Sequence, residues 1–482
     1  MASTVSFVLL LLLLSSCLVC CLKNGYAFEE KDGHHHNHSY AIQPTSLLQS
    51  PVCDPSTKAN ERTSSLKVVH RHGPCFDHNG DEANYSPSHA EILQHDQARV
   101  NSIHSKVSFR KSRQVDRKKA SDGTTIPAKD GSSMGTGNYI VTIGLGTPKK
   151  FLSLIFDTGS DLTWTQCKPC VKHCYSQDDP IYDSTASKTY TNVSCSSAMC
   201  GELVSATGNS LDCASSTCVY GIGYGDSSFS VGFFSTDTLT ITSTDVFKNF
   251  YFGCGQNNRG LFGRTAGLLG LGRNPISLVS QTATKYKKLF SYCLPSSASS
   301  TGHLTFGNSD ASLSKAVKFT PLSALTEGTS FYGLDMVGLS VGGKNLSIPE
   351  SIFSNGAIID SGTVITRLPP AAYSSLRSTF RKLMAAYPRA PALSLLDTCY
   401  DFTDYSSVDV PTISFFFKGD VEVSIDVTGI LYVNSLSQVC LAVAGNSDAR
   451  EVAIFANTQQ KTIEVVYDSA RGRVGFAPMG CS

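Results

Sequence analysis

Two short phrases in the chain carry residues able to do acid–base chemistry. Phe156-Asp157-Thr158-Gly159-Ser160 and Ile359-Asp360-Ser361-Gly362-Thr363 each place an aspartate at the end of an apolar run, 203 residues apart. An apolar strand that ends in Asp-Thr/Ser-Gly puts its carboxylate on a tight turn, facing outward from the sheet. One such turn is explained by local capping alone. Two matching tetrads arise by chance in roughly one chain in a thousand of this length. Two carboxyl groups forced together cannot both ionise, so one keeps its proton while the other serves as a base. A water held between them can be deprotonated by the anionic member while the neutral member polarises a carbonyl, which is general acid–base hydrolysis of an amide.

Positioning such a pair requires two related lobes, each giving one loop. From Asn138 onward the text consists of short β-rich runs such as NYIVTIGLGTP and FLSLIFDTGSDLTW, with 39 Gly and 19 Pro supplying turns, so the expected fold class is mostly β and bilobal. The 482 residues are 41% hydrophobic and 16% charged, which excludes wholesale disorder and allows two sizeable cores. With 40 basic against 39 acidic side chains, nothing in the overall charge favours a nucleic-acid partner. Other chemistries lack motifs: Gly267-x4-Gly272-Arg273 has no phosphate-loop Lys, no Gly-x-Ser-x-Gly occurs, and beyond residue 120 the histidines are His173 and His303. No metal or other cofactor is expected.

The N-terminal part has a different character. Val5–Leu22 is an apolar block followed by Lys23 and a small-x-small site at Gly25-Tyr26-Ala27, so residues 1–27 read as a signal peptide. The C-terminal VGFAPMGCS lacks the tail of a lipid-anchor signal, and no membrane anchor is expected. Residues 28–120, or up to about 137, read as a propeptide holding ten of the 12 histidines, His34, His35, His36 and His38 among them. Within it Leu93, Val100 and Val107 recur every seven residues with Ile103 between, the stripe of a helix opened by Ser86 or Ser88. A basic propeptide would face a body with 26 basic and 28 acidic residues beyond position 120, and histidines charging near pH 6 would weaken that contact. Asn37, Asn84, Asn192 and Asn345 head Asn-x-Ser sequons and are glycosylation candidates in an exported chain.

From Asn138 to Ser482 the sequence resembles the pepsin-like (A1) aspartic proteases, within them the atypical plant subgroup typified by nepenthesins. The resemblance implies an N-terminal lobe over 138–310, with a Cys-rich insertion at 167–218, and a C-terminal lobe over 330–482, with the cleft between them. It makes Asp157 and Asp360 catalytic, ties the two loops through the hydroxyls of Thr158 and Ser361, and lets Ser160 and Thr363 support the aspartates beside Gly159 and Gly362. Tyr224 matches the flap tyrosine, carried on a hairpin tip of Gly225, Asp226 and Ser227, with the lone tryptophan Trp164 behind it. Polypeptide substrates, statine-type inhibitors, the chain's own propeptide and a monomeric state follow from the same likeness. One departure stands out: Ala456 occupies a position where the family usually has glycine, so a shifted second loop or a cost in stability is expected.

Of 17 cysteines, Cys17, Cys20, Cys21, Cys53 and Cys75 lie in or just after the leader, leaving twelve for up to six disulfides in an exported chain. Cys167, Cys170, Cys174, Cys195, Cys200, Cys213 and Cys218 are odd in number, so one pairs elsewhere, most simply with Cys254. The resemblance implies Cys399 with Cys440, which leaves Cys293 for Cys481. Secretion to the extracellular space (the apoplast) is expected, with vacuole or plastid as alternatives. The rival function is a pepsin-fold binding or inhibitor protein without strong catalysis, and a third reading gives the basic stretch Arg110–Lys119 a nucleic-acid contact.

Overall fold

The computed structural model describes residues 38–56, 64–76, 87–116 (backbone only for 108–116), 139–224, 228–260, 262–307 and 316–481. The fold is mostly β and bilobal. Among the described residues the largest sheet has sixteen strands and spans both halves of the chain, because the C-terminal strands Glu464–Asp468 and Arg473–Ala477 join it through Leu289–Cys293. Its first-lobe part holds Tyr139–Leu145 antiparallel to Lys150–Asp157. The latter strand is buried on both faces from Leu152 onward, and accordingly reads as an almost unbroken apolar run.

The two lobes repeat one local plan. Lys150–Asp157 pairs in parallel with Gly267–Gly270, aligning Asp157 with Gly270. In the second lobe, Ala357–Asp360 pairs in parallel with Ala453–Ala456 inside a five-stranded sheet, aligning Asp360 with Ala456. The glycine of the first pair is compulsory, since a Cβ on Gly270 would lie 2.2 Å from the Asp161 carbonyl oxygen. Ala456 has ordinary extended backbone (φ −94°, ψ 171°), and its methyl is fully buried with Val100, Ile103, Phe331 and Ile454. The expected loop shift is therefore absent: the second lobe has space for a methyl where the first has a backbone carbonyl.

The segment ahead of the first lobe is woven into the fold. Ser65–His70 inserts between Thr301–Phe306 and Tyr139–Leu145 in the large sheet, and Ser39–Ile42 pairs with Val408–Pro411. The helix predicted from the heptad stripe runs His89–Asp116. Ser88 opens it as a capping box: its Oγ accepts from the Glu91 N–H (3.2 Å), and its own N–H donates to Glu91 Oε2 (2.7 Å). Leu93, Val100 and Ile103 are buried as the stripe requires, Leu93 under Val364, Ile365 and the Cys399–Cys440 region, the other two against Ile358 and Ile454.

Seven disulfides are formed among the described residues, one more than expected. Cys53 pairs with Cys75, a bridge outside the twelve cysteines expected to pair. The insertion is closed by Cys170–Cys174, Cys195–Cys213 and Cys200–Cys218, with Cys167 as the residue that reaches out to Cys254. Cys399–Cys440 and Cys293–Cys481 complete the set, the latter tying the end of the chain to a strand of the shared sheet. The predicted signal peptide, Asn37, Asn84 and the hairpin tip of Gly225, Asp226 and Ser227 lie outside the described residues. No helix among the described residues is long and apolar enough to cross a membrane.

Candidate active site

Asp157 and Asp360 arrive at the interlobe cleft at the ends of their paired strands, 1% and 0% exposed. The turn after each aspartate folds back on it: Asp157 Oδ1 accepts from the Gly159 N–H (2.9 Å) and Asp360 Oδ1 from the Gly362 N–H (3.2 Å). Both glycines are spatially required. A Cβ on Gly159 would stand 2.7 Å from Asp360 Oδ1, and one on Gly362 would stand 2.7 Å from Asp157 Oδ1. The loops are tied as expected, with the Thr158 N–H donating to Ser361 Oγ (3.1 Å) and the Ser361 N–H to Thr158 Oγ1 (2.9 Å). Asn457, which sequence reasoning left without a role, braces the second loop by donating from Nδ2 to the Ser361 carbonyl (2.9 Å).

The two outer hydroxyls behave differently. Thr363 Oγ1 donates to Asp360 Oδ2 at 2.5 Å, as expected. Ser160 Oγ is buried and makes no well-formed hydrogen bond, although the hydroxyl is close enough to help lower the Asp157 pKa. Behind the first loop, the fully buried Trp164 donates from Nε1 to the Tyr224 hydroxyl (2.7 Å), and both rings pack edge-on against Phe262. Tyr224 ends the antiparallel hairpin of Thr217–Gly223 and Phe229–Thr242, where its N–H donates to the Ser228 carbonyl (2.9 Å).

The group between the carboxylates is Arg99, from the helix His89–Asp116. Its Nη2 donates to Asp157 Oδ1 (2.7 Å) and to Asp360 Oδ1 (2.9 Å), so one atom sits within hydrogen-bonding reach of both aspartates. Nη1 reaches Asp157 Oδ2 (3.2 Å) and Nε reaches Asp360 Oδ2 (3.0 Å), completing a forked clamp. Burial by itself raises the Asp157 pKa, but the Arg99 charge and hydrogen bonds, helped by Gly159 and Ser160, hold it below the usual carboxylate range. Burial would lower the Arg99 pKa, and the two aspartates more than reverse that.

A second buried ion pair with the opposite polarity lies one helical turn earlier. Asp96 accepts from the backbone N–H groups of Val364 (2.6 Å) and Ile365 (3.1 Å) and from Arg367 Nη2 (3.0 Å). The expectation of a basic segment lying on an acidic body is thus too simple. Neither Asp96 nor Arg99 was singled out by sequence reasoning. The available signal was two charged residues, three apart, set inside the apolar stripe of Leu93, Val100 and Ile103, where a core-facing helix stripe ordinarily has none. Asn192 and Asn345 are exposed, while the cysteines of the Cys167-x2-Cys170-x3-Cys174 cluster are consumed by disulfides.

The chain matches two family models in tandem, the xylanase inhibitor N-terminal model over residues 139–308 and the xylanase inhibitor C-terminal model over 331–478. An aspartyl protease family protein of Arabidopsis thaliana is 59% identical over 447 residues, covering 92% of this chain and 93% of the relative. Aspartic proteinase nepenthesin-2 of Nepenthes gracilis is 37% identical over 356 residues, covering 72% and 78%. Among solved structures, conglutin gamma, a basic 7S globulin from lupine seeds, matches the fold with a TM-score of 0.57 at 22% identity, over 70% of this chain and 91% of that one. Sequence relatives, tandem models and the paired-strand plan of the two lobes agree: the chain belongs to the pepsin-like aspartic proteases, in the atypical plant group that includes the nepenthesins.

Proposed function

We propose that the protein is an exported aspartic endopeptidase made as a zymogen, with Asp157 and Asp360 as its catalytic pair. The observation that carries this reading is the convergence of two buried carboxylates, one from each lobe, on a single donor atom. In the free enzyme a water takes the place of Arg99 Nη2. The ionised carboxyl accepts a proton from that water as its oxygen attacks the peptide carbonyl, and the protonated carboxyl donates to the carbonyl oxygen. Collapse of the tetrahedral intermediate passes a proton to the amide nitrogen and releases an acid and an amine. The Tyr224 hairpin covers the extended substrate.

In this reading residues 1–27 direct export, residues 28 to about 120 form the propeptide, and 138–310 and 330–482 are the protease lobes. The propeptide silences the site through Arg99. Exposed Asn192 and Asn345 are available to glycosylation in the secretory pathway on the way to the extracellular space, and the enzyme acts as a monomer on polypeptide substrates. Ala456, where the family usually has glycine, is accommodated without strain, which removes one ground for a catalytically weak protein. The test is cleavage of a denatured protein between pH 3 and 7 by the acid-processed chain. Activity should peak in acid, be blocked by a statine-type inhibitor and vanish in Asp157→Asn and Asp360→Asn. Activity untouched by either substitution, or none at any pH after propeptide removal, would overturn the reading.

A further inference from the structure

Arg367 is an unusual residue to find in the interior: a guanidinium 1% exposed, on the short strand Thr366–Leu368 of the second-lobe sheet. Its Nη1 is held by the Ile365 carbonyl (2.6 Å), which aims Nη2 at Asp96. Among the described residues, no carboxylate from 139–481 is within ion-pair reach of it; Asp96, from the helix, is its acidic partner. The Val364 and Ile365 N–H groups point at the same carboxylate, so three donors fixed in the body of the fold surround one anion. The site is built for a carboxylate, and the helix supplies one. A buried cation of this kind is costly to leave unpaired.

We infer that, once the helix leaves, the cradle of Val364 N–H, Ile365 N–H and Arg367 becomes a carboxylate-binding subsite that selects peptides with Asp or Glu close to the scissile bond. This rests on the peptidase reading given above. Asp96 precedes Arg99 by three residues, which on a helix separates their Cβ atoms by about 5–6 Å. An extended strand rises about 3.4 Å per residue, so the acidic side chain falls within about two residues of the bond that the aspartates attack. Hydrogen bonds to a charged group discriminate strongly, and replacing Glu by Gln at that register should lower kcat/KM by about ten- to one hundred-fold.

The experiment uses the full-length chain after acid processing and a peptide series in which a single Glu or Gln is walked through the positions flanking a fixed scissile bond, at pH 5, where a free Glu is ionised. At one register the Glu:Gln ratio of kcat/KM should be ten or more. It should fall to about one in Arg367→Gln and recover in part in Arg367→Lys, which keeps the charge but not the fork. A ratio near one at every position, or a ratio unchanged in Arg367→Gln, would overturn the inference while leaving the peptidase reading intact. If Arg367→Gln does not fold, Arg367→Lys decides: it should lower the Glu:Gln ratio without abolishing it, and a ratio unchanged from wild type would overturn the subsite. If no peptide is cut, the peptidase reading fails instead, and calorimetric titration of the same Glu and Gln peptides reads the subsite by itself. Tighter binding of the Glu peptide supports it, and equal binding overturns it.

Discussion

Arg99 offers a single nitrogen to two carboxylates, and everything proposed for the site turns on that contact. Replacing it with Met leaves Asp157 and Asp360 covered by an apolar side chain with no cation, and breaking a buried pair in this way costs about 3–5 kcal/mol. Unprocessed Arg99→Met chain, checked for length on a gel, should therefore cleave peptides at least ten-fold faster than unprocessed wild type. Equal silence would show that the helix blocks the cleft without help from the clamp. The two strand-end partners give a stability prediction. Ala456→Gly should cost about 0.5–1 kcal/mol in thermal unfolding, through lost packing and added backbone freedom. Gly270→Ala should cost about 1–3 kcal/mol, because the added methyl must displace the Asp161 carbonyl.

The helix His89–Asp116 is held by its cap, its apolar stripe and its two buried charges. Ser88→Ala removes the cap and should weaken docking by about 1 kcal/mol, read as faster propeptide release at a given pH. On the flap side, Trp164→Phe keeps the ring packing but removes the donor to Tyr224, and kcat/KM should drop by about three- to ten-fold. These elements were unequally legible in the sequence. The aspartate loops could be read because each is a contiguous phrase, and its repetition carried the two-lobed plan. The helix was readable from its period and its start narrowed to Ser86 or Ser88, between which the capping box selects Ser88. Arg99, Asp96 and Arg367 were not, because their meaning depends on which surface the helix docks against, and an Arg or Asp in sequence reads as solvent-facing until that partner is known. Cys53 and Cys75 were missed for a related reason: proximity to the leader masked a bond that closes within the segment.

Taken over the molecule, docking of the N-terminal segment carries a pH dependence whose sign can be worked out. Burial lowers the pKa of His89, His95 and His104, the last despite Glu451 at 3.4 Å, which raises it. His70, packed against Tyr139 and His72, is pushed down to about 3 by burial first and then by Lys461, Arg71 and His89. These histidines are neutral when docked and charged when free, so their contribution is fully present above about pH 6.5 and is lost as pH falls toward the lowered values. For His70 this amounts to on the order of 1 kcal/mol by pH 5.5. The Arg99–Asp157 contact has a lower window, holding above about pH 4 and failing as Asp157 protonates below its ordinary range. Asp96 acts in the opposite sense, since burial, only partly offset by Arg367, raises its pKa and favours docking in acid. Release of the segment should begin between pH 6.5 and 5 and be blunted in His104→Gln, followed as propeptide loss on gels; a rate flat down to pH 4 would contradict the histidine contribution. The pairing of the two aspartates is reached most directly by kcat/KM of the processed chain measured against pH on a peptide without ionisable side chains. A shared proton predicts a bell confined to acid, with two apparent pKa values that belong to the pair and no measurable rate in Asp157→Asn. A single titration, or a profile that survives that substitution, would contradict it.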